Sequence, residues 1–207
     1  MLHFETVDTA TLELLRKLMA VPFLQPLRLV GGTSLALQYG HRKSIDLDLF
    51  GSFISDEIEM GAAITELAET FTWLNKSKSI KSMLINGIKT DIVNYTYPWI
   101  EDLVQHKTLR LANTKDIAAM KLAAITGRGS KKDFIDLYFL LKHYRLADMM
   151  DMYEQKYADG SAFMVLRSLT YFDDAEEDEM PEMLVPVSWN DIRTTITDNH
   201  KQYVNSL

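Results

Sequence analysis

The stretch VGGTSLALQYGHRKSIDLDLF, Val30 to Phe50, carries two glycines ahead of a helix-like run, then two aspartates inside an apolar strand pattern. Carboxylates avoid such strands unless something rewards their presence. The alternation of SIDLDLF turns Ile45, Leu47 and Leu49 to one side and Asp46 and Asp48 to the other. Strand positions i and i+2 lie about 6.7 Å apart on one face, where two carboxylates repel by roughly 2–3 kcal/mol at an effective dielectric of about 20. A magnesium ion turns that repulsion into coordination, because it takes carboxylate and phosphate oxygens together. Alone, Asp-x-Asp also describes the wet face of a half-exposed strand.

The flanking residues favour the metal. LRLV, residues 27–30, reads as a short buried strand, and TSLALQYG as a helix that stops at Gly40. Gly31 and Gly32 therefore join a strand to a helix N-terminus. Glycine lets the backbone approach a phosphate, and the first helical amides and the dipole favour an anion there. Ser34 adds a hydroxyl. Asp91, in IKTDIVNY on another strand, is a candidate third carboxylate and shares a face with Lys89; it is also read as a polar residue on an open sheet.

Outward from this segment, Asp8 is placed to cap a helix through TATLELLRKLMA, and Pro22 and Pro26 break the pattern. A helix is expected from Asp56 to about Thr70, then strands in FTWLNKSKS and IKSMLI. Asn86-Gly87 signals a tight hairpin into IKTDIVNY, and Pro98 closes the strand region. From Thr114 the periodicity is helical: TKDIAAMKLAAIT ending at Gly127, KKDFIDLYFLLKHY, two amphipathic stretches to about Phe172, and a last helix capped by Ser188. The expected fold class is α+β, a mixed sheet flanked by helices over residues 1–106 and a helical part over 107–207.

The chain has 207 residues, no cysteine and a net charge of −7. Disulfides and thiolate metal sites are thereby excluded, and a reducing, cytoplasmic setting is the expectation. No long uncharged apolar run predicts a membrane span, and MLHFETVDTA does not read as a secretory signal. The charge is uneven: residues 1–150 hold 18 Lys+Arg against 17 Asp+Glu, a net of +1, and residues 151–207 hold 4 against 12, a net of −8. Seven acidic residues fall in DDAEEDEMPE, 173–182, read as a solvated loop or as a partner-binding or autoinhibitory segment. The near-neutral first 150 residues permit RNA contact.

Other candidates lie in the helical part. Lys121 and Arg128, seven apart, share a helix face suited to phosphate charge. Lys131 and Lys132 read as a solvated basic turn, and Asp136 as an i,i+4 partner of Lys132. His41-Arg42-Lys43 either balances the acidic strand or touches a phosphate; His41 is a poor ligand for hard magnesium. Tyr138, Phe139, Tyr144 and Tyr153 recur at helical spacing and are read as core.

GGTSLALQYGHRKSIDLDLF, IKTDIVNY and DIAAMKLAAITGRGSKKDFIDLYFLL together resemble the motifs of AbiEii/AbiGii-type nucleotidyltransferases, a branch of the DNA polymerase beta-like superfamily that includes toxins of toxin–antitoxin and abortive-infection systems. The resemblance spans roughly residues 28 to 142. It implies a nucleotidyltransferase fold whose helical part completes the active site. It implies that Gly32 and Ser34, or Gly32 and Thr33, hold an NTP, with Gly31 beside them. Asp46 and Asp48 would ligate magnesium, one ion or two, and Asp91 would complete the set and activate the attacking hydroxyl. Lys121 would contact the triphosphate, with Arg128 near it, and Asp133 or Asp136 would belong to the fourth motif. The implied activity is transfer of a nucleotide to an acceptor, first of all a tRNA 3′ end, by a toxin with a separate antitoxin. An NTP-binding regulator without turnover, or an enzyme modifying a protein side chain, are the rival readings.

Overall fold

A computed structural model describes residues 1–53 and 57–207 of the chain. The described residues divide into a sheet unit, 1–38, 44–96 and 103–112, and a helical unit, 39–43, 97–102 and 113–207. The chain thus passes between the units more than once, and residues 39–43 belong with a helical unit whose main body begins seventy residues later.

In the sheet unit, α1 (Thr9–Ala20) starts where Asp8 accepts a hydrogen bond from the Thr11 amide at 2.7 Å. β1 (Arg28–Leu29) leads into α2 (Gly31–Tyr39), then β2 (Leu47–Gly51). α3 (Glu57–Leu67) occupies most of the expected helix; Asp56 lies outside the described residues and the helix ends short of Thr70. β3 (Phe71–Lys76), β4 (Ile80–Ile85) and β5 (Ile88–Asn94) follow, β4 and β5 joined by a turn with Asn86 at φ +50° and Gly87 at φ +79°. Both turn residues must be left-handed there, which Asn-Gly tolerates best.

Two short strands that the sequence did not announce come after Pro98: β6 (Val104–His106) and β7 (Leu109–Leu111). At three residues each they are too short for a period-two pattern to register. The resulting seven-stranded sheet has the order β3-β4-β5-β2-β1-β7-β6. It is mixed: β2 pairs β5 and β1 pairs β7 in parallel, the other pairs being antiparallel. Leu29, Leu47, Leu49, Ile92 and Leu111 are fully or almost fully buried, with Leu15 and Leu18 of α1 and Met60 and Ile64 of α3 in the same core. Ile45 was expected beside Leu47 and Leu49 but is 59% exposed, because the strand begins only at Leu47.

The helical unit contains α4 (Thr114–Gly127), α5 (Lys131–Leu141), α6 (Leu146–Lys156), α7 (Ala162–Ser168), α8 (Asp173–Glu176) and α9 (Trp189–Val204). Ser188 caps α9, accepting from the Asp191 amide at 3.1 Å. Phe139 and Tyr153 are buried and Tyr138 and Tyr144 half-buried, consistent with packing rather than base stacking. A second interior device pins residues 97–102: Asp116, fully buried, accepts from the Ile100 and Glu101 amides at 2.9 and 3.1 Å and from Lys156 Nζ at 2.7 Å. No described helix is long and apolar enough to cross a membrane.

Candidate active site

In the sheet unit the backbone itself brings two of the expected carboxylates together. β2 and β5 run parallel with Asp48 opposite Asp91, and Ser82 of β4 stands opposite Asp91 on its other side. In-register residues of neighbouring strands point to the same face about 5 Å apart. Both aspartates are half-buried. The Ser82 hydroxyl donates a short hydrogen bond to Asp91 Oδ1, and Lys89 Nζ lies 3.3 Å from Oδ2. Ser82 was overlooked in the sequence; its signal is a lone hydroxyl within the apolar strand IKSMLI.

Asp46 stands just before β2, half-buried, and its backbone carbonyl accepts from the Thr33 hydroxyl. That hydroxyl also lies 2.8 Å from Ser44 Oγ, so Thr33 ties α2 to the entry of the acidic strand. Ser34 is fully buried and accepts from Gln38 Nε2 at 3.2 Å, which leaves its own proton to donate. α2 begins at Gly31 rather than at Thr33. Gly31 has φ +66°, and a Cβ there would run into the Asp48 carboxylate, so the glycine makes room for that side chain.

Among the described residues, no three His, Cys, Asp or Glu side chains form a group able to hold a metal ion by themselves. Magnesium is ordinarily held by one or two carboxylates, the rest of its shell being phosphate and water. The Asp48–Asp91 pair, hard oxygens backed by a glycine that keeps the space clear, fits an ion of that kind and not a closed protein cage.

In the helical unit, Lys121 of α4 and Arg128, which follows the helix as its C-cap and so lies off the helix face expected for it, converge on Asp133: Lys121 Nζ at 2.9 Å from Oδ1, Arg128 Nε at 2.8 Å from Oδ2. Ser130 Oγ donates to the same carboxylate at 2.7 Å. Asp136 is fully buried and does not pair with Lys132, which is exposed. Its oxygens take Arg42 in two-pronged fashion, Nε at 2.8 Å and Nη2 at 2.9 Å, His41 Nε2 at 2.8 Å and Lys121 Nζ at 2.6 Å. His41 and Arg42 are thus buried partners of Asp136 rather than cations that balance the acidic strand. Lys131 likewise is not solvated: it is 6% exposed, and its ammonium donates to the carbonyls of Glu176 (3.2 Å) and Asp178 under the Trp189 ring. The acidic segment is held there too, Asp178 accepting from the Lys131 amide and Glu176 from Arg193.

Burial opposes ionisation of both aspartates, but the surrounding cations outweigh it. Arg42 and Lys121, with His41, hold Asp136 well below the ordinary carboxylate range, and Lys121 and Arg128 do the same for Asp133. Burial likewise opposes the charge of Lys121, and Asp136 and Asp133 override it, so its pKa is raised. For His41 burial wins over Asp136 and lowers the pKa. A neutral His41 donates from Nε2 to the carboxylate, leaving Nδ1 bare, and that atom is buried without a hydrogen-bond partner among the described residues. The five ionised groups, Arg42, Lys121 and Arg128 against Asp133 and Asp136, sum to +1.

The comparisons with known proteins make the chain a nucleotidyltransferase. The family model described as nucleotidyl transferase AbiEii toxin, type IV TA system, matches residues 13–109 and 100–203, and the chain belongs to that family. A protein of Aquifex aeolicus (strain VF5), aq_aa25, is 36% identical over 199 residues, 93% of this chain and 95% of its own. Two solved structures share the fold: JHP933 from Helicobacter pylori (TM-score 0.59, 18% identity, 97% of this chain and 96% of that one), and MenT4, a nucleotidyltransferase toxin from Mycobacterium tuberculosis (TM-score 0.61, 16% identity, 93% and 81%).

Proposed function

We propose that this nucleotidyltransferase moves a nucleotide from an NTP to an acceptor hydroxyl with magnesium, that its first acceptor is a tRNA 3′ end, and that it acts as a toxin held in check by a separate antitoxin. The observation that carries the reading is the in-register pair Asp48 and Asp91 on β2 and β5, with Gly31 clearing space at the start of α2. In it, the amides of Gly31, Gly32 and Thr33 and the Ser34 hydroxyl receive the triphosphate. Asp48 and Asp91 would hold the ion, with Asp46 proposed as a further ligand. When bound, that ion neutralises the phosphate oxygens and stabilises the entering and leaving groups. Asp91 also takes the proton of the acceptor hydroxyl as its oxygen bonds to the α-phosphorus. The α–β bridging bond breaks and pyrophosphate leaves. Lys121 and Arg128 receive its charge, in keeping with the +1 surplus of their cluster, and Asp133 and Asp136 keep those cations oriented. MenT4, itself a toxin of this fold, is what makes the toxin reading the first to test.

The test incubates the protein, magnesium and each α-labelled NTP with total tRNA, beside an Asp46→Ala/Asp48→Ala variant. Label on RNA that vanishes with the variant is the expected result. Label on protein, or transfer only from γ-labelled NTP, overturns the acceptor or the reaction proposed.

A further inference from the structure

His41 and Arg42 sit five and four residues before Asp46, yet both side chains are buried in the helical unit, at 0% and 2% exposure. They meet Asp136 across 95 and 94 residues of sequence. Between them they occupy both carboxylate oxygens: Arg42 bonds Oδ1 and Oδ2, and His41 adds a second donor to Oδ1. Their backbone is fixed as well. The His41 carbonyl accepts from the Leu184 and Val185 amides, and the Lys43 amide donates to the Glu182 carbonyl at 2.8 Å. One position on Asp136 is left, and Lys121 Nζ takes it at 2.6 Å from Oδ2.

An ammonium has three donors. Among the described contacts of Lys121, Asp136 and Asp133 accept two of them. The direction of the third is then set by the positions of the two carboxylates. Asp133 is steered by its own neighbours, Arg128 and Ser130. For Asp136 the steering comes from residues far away in the chain.

We infer that His41 and Arg42 are positioning residues for NTP binding: by saturating Asp136 they fix the Lys121 ammonium so that its remaining N–H meets a phosphate oxygen. The inference rests on the proposed role of Lys121 at the triphosphate. Arg42 contributes the planar fork that only a guanidinium supplies, and His41 a single donor that an amide can imitate. Neither residue touches substrate.

The experiment measures binding of an α,β-methylene NTP with magnesium by calorimetry on the full chain, with melting temperatures recorded alongside. Arg42→Lys and His41→Phe are expected to weaken binding by about 10- to 100-fold, the range for groups that orient a ligand-binding residue. His41→Gln should restore most of the loss. In a Lys121→Gln background neither substitution should weaken binding further, an outcome that a merely structural role would not produce. Equal losses in both backgrounds, or no loss in either single variant while Lys121→Gln weakens binding, overturn the inference. If Lys121→Gln binds as tightly as the native chain, the assignment of Lys121 itself falls, and the inference with it. Should Arg42→Lys not fold, His41→Phe and His41→Gln, each measured in both backgrounds, support or overturn the inference in the same way.

Discussion

On the sheet, Asp48 and Asp91 stand side by side and only half-buried, Asp91 meeting the Ser82 hydroxyl and the half-exposed Lys89. In the helical unit Asp133 and Asp136 are buried, and each of their four oxygens receives a cation or a hydroxyl. The same side chain therefore does two jobs. Like charges on adjacent strands destabilise one another and are tolerated where a cation is expected to join them. A saturated buried carboxylate, by contrast, is part of the framework, and removing it strands its partners.

The most forceful way to break this contrast is Asp136→Ala. Arg42 and Lys121 would remain buried without their shared counter-ion, and the loss should be about 3–5 kcal/mol, or about 6–20 °C in melting temperature for a chain of this size. A drop below about 2 °C, measured by calorimetry, would mean that water or other groups replace the carboxylate and that the cluster is not framework. Asp48→Asn is the opposite case. Transfer should fall by about 10²–10³-fold, as when one charge-stabilising group is removed from a reaction centre. Without divalent metal, the variant should lose far less stability than Asp136→Ala, because Asp48 is half-buried where Asp136 is fully buried. Unchanged transfer would move the chemistry away from β2.

Gly31→Ala sharpens the contrast at the point where backbone and carboxylate meet. A left-handed alanine costs about 1–2 kcal/mol, and its methyl would displace the Asp48 carboxylate. The expected variant is therefore both less stable and slower. Gly61→Ala, a helical position where a Cβ has no neighbour within 4 Å among the described residues, should show neither effect.

How much of this was legible in the sequence follows from the range of each interaction. The strand, Gly-Gly, helix and Asp-x-Asp order is local, as are the Asp8 and Ser188 caps and the Asn86-Gly87 turn, and all can be read in short windows. β6 and β7 were missed because three residues cannot show a period. Ile45 was misassigned because alternation does not reveal where a strand begins. The His41–Asp136 contact has no local sign at all: two residues 95 apart carry no shared pattern, and His-Arg-Lys before an acidic strand reads as charge that balances the strand or touches a phosphate. Lys131 misled in the same way, since its burial depends on where residues 176–178 return. The sequence offered Asp133 and Asp136 as candidates but not the pairing of His41 and Arg42 with Asp136.

The mildest test concerns pH and separates His41 from its acidic neighbours. Asp133 and Asp136 have folded pKa values below the ordinary one near 3.9. Their stabilisation is therefore complete above about pH 4 and is lost as the pH falls below it. Lys121, raised in the fold, contributes fully below about pH 10 and loses that contribution above it. His41 behaves differently because its folded pKa is depressed below about 6.5, so the unfolded chain takes up its proton first. Stability should accordingly begin to decline as pH falls through about 6.5, by at most about 1.4 kcal/mol per pH unit, well before either aspartate responds. The protonated ring would place a second N–H at the buried Nδ1, where it meets no acceptor among the described residues, and would add charge beside Arg42 and Lys121. Urea melts between pH 5 and 7 measure the slope. His41→Gln, which keeps a donor toward Asp136 but cannot titrate, should flatten it, and an unchanged slope in that variant would assign the decline to another group.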